Sequence, residues 1–176
     1  MNNYKDKKGF TLLEVVVALG LLILVFGSVI SLAVLTREAE QSSKNNLVAA
    51  YLAKEAQDLV RYQRDKNYID LVSPFYSLTT SEVNGSVYNF FIDYKNGVRS
   101  SGIADVKLVA PLKINNDFYD NGADGVDTIF NRLVTTTYHE AAGLLPAYID
   151  VKVEVYWRND TKQNTYTLNS QLTDWR

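Results

Sequence analysis

Three groups of side chains in this sequence are of a type and spacing that could do chemistry. The first is a lone carboxylate, Glu14, at the head of Val15–Leu35, 21 residues whose only polar side chains are Ser28 and Ser31. An acid at the edge of hydrocarbon costs about 2–4 kcal/mol unless a partner compensates it. The second is the acidic loop from Asp117 to Asp127, where Asp120, Asp124 and Asp127 are the candidate ligands for calcium, which favours clustered carboxylate and carbonyl oxygens. That loop lacks the full calcium-loop spacing, because Gly122 stands where a ligand is expected and Asn131 where the terminal glutamate would fall. Its ordinary reading is a turn rich in Asp, Asn and Gly; calcium is the alternative, and no metal or other cofactor is assigned. The third is His139, the only histidine, beside Glu140. A catalytic base needs positioned partners, and none is visible around it, so His139 reads as decoration at a strand end. No Gly-rich phosphate loop and no metalloprotease spacing is present, and no catalytic residue is assigned.

The element that carries Glu14 sets the organisation of the chain. At 1.5 Å per residue, Val15–Leu35 spans about 30 Å, enough for one transmembrane helix. Ahead of it, Lys5, Lys7 and Lys8 outweigh Asp6, which keeps this end in the cytoplasm and sends the bulk of the protein across the cytoplasmic membrane. The apolar run is too long for a secretory signal core, carries Glu14, and lacks a small-residue cleavage site. A signal anchor that is never cut, holding an extracytoplasmic binding or adhesion domain, explains the hydrophobicity and the basic flank but leaves Gly9, Phe10 and Glu14 as accidents. Gly20, Gly27 and Ser31 fall on one narrow helical stripe that would let helices approach closely, although small residues are also ordinary in membrane spans.

The 176 residues leave room for this helix and one small domain. The formal charge is −2 with no broad basic field, so nucleic acid is not an expected partner. With no cysteine, neither a disulfide nor a thiolate zinc site is possible. Beyond Thr36 the residues turn charged, yet the run stays free of Gly and Pro through Lys66. Val48, Tyr51, Leu52, Ala56, Leu59 and Val60 form one apolar face, and Lys54, Asp58, Arg61 and Asp65 the opposite one. The pattern predicts one helix from about Phe10 to about Lys66, roughly 85 Å long. After Pro74 come strand-like runs at 87–94, 106–114, 128–138, 148–158 and 165–173, with a turn at Asn159–Lys162. In the fourth, Ile149, Val151, Val153, Val155 and Trp157 alternate with polar neighbours, as in a sheet that lies on a helix with its back in water. The predicted class is α+β, an antiparallel sheet packed on the second half of the long helix.

The N-terminal run Lys7-Lys8-Gly9-Phe10-Thr11-Leu12-Leu13-Glu14 resembles the signature of type IV prepilins. That resemblance implies cleavage between Gly9 and Phe10 by a prepilin peptidase, with Lys7 and Lys8 as the basic residues of the leader. It also implies methylation of the new amine on Phe10 and a role for Glu14 in assembly, pairing with the cationic N terminus of a neighbouring subunit. It further implies the pilin fold, and partners that include other pilin or pseudopilin subunits, an inner-membrane assembly platform and the lipid bilayer. On this reading residues 1–9 are the leader, 10–35 the transmembrane and assembly half-helix, 36–67 its amphipathic continuation, and 68–176 the extracytoplasmic head. Residues 49–56 and 61–67, with Val153–Arg158 and Leu168–Arg176, are similar to the corresponding stretches of PilV-type minor pilins and of the I-type minor pseudopilin of type II secretion. In that setting Arg61, Arg64 and Lys66 are either subunit contacts or, with Asp58 and Asp65 interleaved, a solvated helix face. Two departures stand out: the chain lacks the disulfide that many pilins carry near the C terminus, and no proline interrupts Phe10–Leu35. Some pseudopilins bind calcium in a head loop, a second ground for the calcium alternative at Asp120, Asp124 and Asp127. The function implied is that of a minor pilin or pseudopilin with no catalysis of its own.

Overall fold

The computed structural model describes residues 9, 11–115, 118–159 and 162–174. One helix, α1, runs Leu12–Ile69, three residues beyond the predicted end. It begins where Thr11 caps it: Thr11 Oγ1 accepts the Glu14 N–H at 3.3 Å and the Thr11 carbonyl accepts that of Val15 at 3.2 Å. These contacts satisfy two of the donors that a helix start leaves open. It ends in a Schellman turn, with Leu71 N–H on the Tyr68 carbonyl and Val72 N–H on that of Asn67. Leu71 takes the left-handed conformation there, at φ 58°. Buried Asn67 locks the exit, donating through Nδ2 to the Pro74 and Tyr76 carbonyls at 3.1 and 2.6 Å and accepting from Gln63 at 2.8 Å.

The chain divides into two compact units, Met1–Asn45 and Asn46–Arg176. In the first, every described residue up to Lys44 is exposed, the whole apolar run included. In the second, a five-stranded antiparallel sheet has the order β2-β1-β6-β7-β8. Its strands are β1 (Val87–Asp93), β2 (Gly97–Ser100), β6 (Phe130–His139), β7 (Tyr148–Asn159) and β8 (Lys162–Thr173). A small sheet of order β4-β3-β5 comprises β3 (Lys113–Asn115), β4 (Phe118–Asp120) and β5 (Val126–Asp127). Ala49, Ala53 and Ala56, at helical spacing, let the backbone of α1 come close to the sheet. With Leu52 and Val60 they are buried against Phe90, Phe130, Val134 and the inward set Ile149, Val151, Val153, Val155 and Trp157 of β7.

The structure corrects the sequence reading in four places. Tyr51, placed on the apolar face, is exposed, because the alanine seam on its neighbour's side takes the contact. The predicted strand at 106–114 is instead a 3₁₀ turn, Val106–Leu108, capped by Asp105, followed by the short β3. Pro111 explains the break, since it has no N–H to give to a ladder. The back of the sheet is not all wet: Val106 and Val109 from this segment cover Leu133, with Phe91, Ile103 and Tyr156 packed around them. Finally, the β7–β8 ladder runs on to Asn159↔Lys162, so that β8 starts three residues earlier than expected.

Candidate functional site

The sequence points to the start of α1, where Gly9 and Glu14 are exposed; Lys7, Lys8 and Phe10 lie outside the described residues. Glu14 is the acidic residue of the first helical turn. Its backbone N–H goes to Thr11, the N-cap half of a capping box, T-x-x-E, that the sequence reading did not weigh. A carboxylate here also complements the positive end of the helix dipole, a contribution of about 0.3–1 kcal/mol at an exposed site. Local structure therefore gives Glu14 a modest reason to exist, smaller than the cost of holding it beside hydrocarbon.

From Leu12 to Leu35 the side chains meet solvent on every face; Leu12 is 84% exposed, Leu24 72% and Ile30 64%. So long an uncovered apolar surface is untenable in water and needs lipid or other apolar helices around it. Among the described residues α1 is the one helix long and apolar enough to cross a membrane. Nothing lies within 4 Å of a side chain built at Gly20 or Gly27, so that stripe is open to an approaching helix. Ser28 returns its hydroxyl to the Val25 carbonyl at 2.7 Å, and Thr36 does the same to Leu32 at 2.9 Å.

Of the other singled-out groups, Asp124 is exposed and the rest named below are occupied locally. Asp120 is buried, and its Oδ1 accepts the Gly122 N–H at 2.8 Å. Asp127 faces Lys113 Nζ at 3.7 Å, and the same ammonium donates to the Ala123 carbonyl at 2.7 Å. Among the described residues no three carboxylates or imidazoles gather where a metal ion could sit. His139 ends β6, stacks on Tyr148 at 4.5 Å and contacts Asp150 at 2.9 Å, across the strand pair. Arg61 pairs with Asp58 at 3.6 Å and Arg64 with Asp65 at 2.7 Å, the local ion pairs of a solvated helix face.

The structure adds one charged centre that sequence reasoning missed. Arg132, on the helix-facing side of β6, is 1% exposed and ties three elements together. It donates to the Leu52 carbonyl at 3.1 Å and the Glu55 carboxylate at 2.9 Å on α1, and to the Ile92 carbonyl at 2.8 Å on β1. Burial pushes its pKa down from the ordinary guanidinium value, and Glu55 and then Asp93 pull it back. Asp93 is itself buried, accepting from Arg99 at 3.0 Å and from the Asn96 backbone and side-chain amides at 2.6 and 2.9 Å. The centre is a strut inside the head, with its charges paired rather than poised for a substrate.

Compared with known proteins, residues 4–35 match the family model described as the prokaryotic N-terminal methylation motif. No curated protein matches the chain, and no solved structure does. Residues 4–35 are thus similar to the N-terminal methylation motif of type IV prepilins, and they lie at the start of an apolar helix suited to anchor this α+β chain in a membrane.

Proposed function

We propose that this protein is a minor pilin or minor pseudopilin, a structural subunit of a type IV pilus-like filament rather than an enzyme. It is made as a precursor with its N terminus inside and its head outside the cytoplasmic membrane. Prepilin peptidase cuts it between Gly9 and Phe10, and the new amine on Phe10 is methylated. The single observation that carries this reading is the pairing of that motif with an apolar half-helix that none of the described residues covers. In the bilayer, lipid satisfies that surface; in a filament, the half-helices of neighbouring subunits replace the lipid. Cleavage liberates an α-amino cation close to Glu14, and a carboxylate on one subunit then pairs with the amine of the next as both leave water. That pair sets the stagger between subunits, while burial supplies the drive.

The test is Glu14→Val expressed beside the wild-type chain. The variant inserts in the membrane at least as well as wild type, because an acid has been removed from the edge of hydrocarbon, yet its share of sheared filaments falls well below its share of the membrane pool. Equal incorporation would show that Glu14 has no part in assembly.

A further inference from the structure

We infer that the head carries a glycan-binding surface built on Tyr62, Tyr94 and Phe118. The three rings are 64%, 75% and 58% exposed. Tyr94 and Phe118 stack on each other with centroids 5.7 Å apart and planes 14° from parallel. Two clefts meet there, one of 770 Å³ between α1 and the β1–β2 turn and one of 220 Å³ against β4, and Tyr94 and Lys95 line both.

The platform is pre-formed. Tyr94 and Lys95 sit in the turn between β1 and β2, and that turn is fixed by the buried Asp93 carboxylate through Asn96 and Arg99, with Gly97 in the left-handed region at φ 67°. On the opposite wall Glu55 is held by Arg132 at 2.9 Å, with its side chain still 34% exposed to the cleft. The surface therefore loses little conformational entropy when a ligand arrives.

The lining identifies the class of ligand. Glu55, Asp58 and Lys95 are spread among the rings, with the Gln63 amide in the larger cleft and that of Asn115 in the smaller, while Asp93 and Asp120, which also line the clefts, are buried on Asn96 and Arg99 and on the Gly122 N–H. Protein interfaces are enriched in Tyr and Phe but depleted of Lys, Glu and Asp at their core, so it is the charged lining, not the rings, that weighs against a second copy of the chain or another protein as occupant. An anion would meet Glu55 and Asp58, and among the described residues no three acids gather to hold a metal cation. A neutral polyhydroxylated ring suits every group: its C–H faces lie on the aromatics, its hydroxyls donate to the carboxylates, and its oxygens accept from Lys95 and the amides. The larger volume lies in the range of small-molecule sites, and its continuity with the second cleft through Tyr94 favours an oligosaccharide over a single sugar.

The experiment is calorimetric titration of the full-length chain, in a detergent without a sugar headgroup, with cellohexaose, chitohexaose and maltohexaose in turn. At least one of the three binds saturably. Tyr94→Ala and Phe118→Ala each weaken that binding by about tenfold, Tyr94→Trp keeps it, and Lys54→Ala, on a neighbouring groove, leaves it unchanged. Thermal melting of each variant shows that its fold is intact. Binding of none of the three sugars overturns the proposal, as does binding that survives the Tyr94→Ala/Phe118→Ala double substitution. Self-association abolished by Tyr94→Ala without any sugar binding also overturns it, and assigns the surface to a protein contact. The titration uses isolated protein, so its outcome is independent of whether the chain enters a filament.

Discussion

Arg132 and Glu14 are the two residues at which charge meets an apolar setting, and the protein treats them in opposite ways. Arg132 is buried, and its charge is answered by Glu55 within hydrogen-bond reach and Asp93 close by. Glu14 is exposed, and its backbone N–H is held by Thr11. Breaking a buried pair from one side strands the other charge, at a cost that rises with how deeply the remaining charge is buried, and only replacing both partners by apolar groups removes the problem. Glu55→Ala is therefore expected to destabilise the head by about 2–3 kcal/mol, below the fully buried limit because Glu55 is partly solvated. Arg132→Met is expected to cost less, about 1–2 kcal/mol, because the acids it leaves behind are partly solvated Glu55 and Asp93, which Asn96 and Arg99 still hold. Denaturant melts of the two variants check the order, and a larger loss for Arg132→Met would show that the arginine stabilises by more than its pairing. This strut was not legible in the sequence. An arginine in a threonine-rich strand reads as an outward-facing charge, and its partners lie 40 to 80 residues away. Glu14 was legible because its strangeness is local, one acid before a long apolar run.

Among the elements, α1 and β7 were readable from periodicity alone, and what escaped was set by backbone chemistry. The alternation of Ile149, Val151, Val153, Val155 and Trp157 fixes which face of β7 is buried. The segment after Val106 has the composition of a strand, but Asp105 captures the Lys107 N–H at 2.9 Å and Pro111 forbids a ladder. Ala49 and Ala53 are buried where Tyr51 is exposed, a choice that spacing alone does not make, because close approach of a helix to a sheet selects small residues. The end of α1 carries a cost of the same local kind. Leu71 adopts φ 58° and is 90% exposed, so its side chain strains the Schellman turn and packs on little. Leu71→Gly is expected to stabilise the fold by about 0.5–1 kcal/mol, the relief of the left-handed strain less the extra freedom glycine gives the unfolded chain. A rise in melting temperature confirms it; a fall would mean that Leu71 makes contacts worth more than its strain.

At the scale of the whole molecule, the division of labour follows from where apolar surface is covered. The unit from Asn46 to Arg176 buries its own core without a disulfide, through the alanine seam of α1, the inward face of the sheet and the Arg132 strut. In the unit before it the described residues are exposed as far as Lys44, and residues 4–35 match the methylation-motif model. A protein built this way holds its head folded by itself and leaves its apolar half-helix for lipid or for other subunits. Everything proposed about assembly depends on a free amine being made at Phe10, next to Glu14. The most direct measurement is the mass of the N-terminal peptide of the mature membrane-bound chain, compared between wild type and Gly9→Trp. The expected wild-type peptide begins at Phe10 and carries one extra methyl group, while the Gly9→Trp chain stays uncut. A wild-type chain that still begins at Met1, or a Gly9→Trp chain processed as efficiently as wild type, would contradict the assignment.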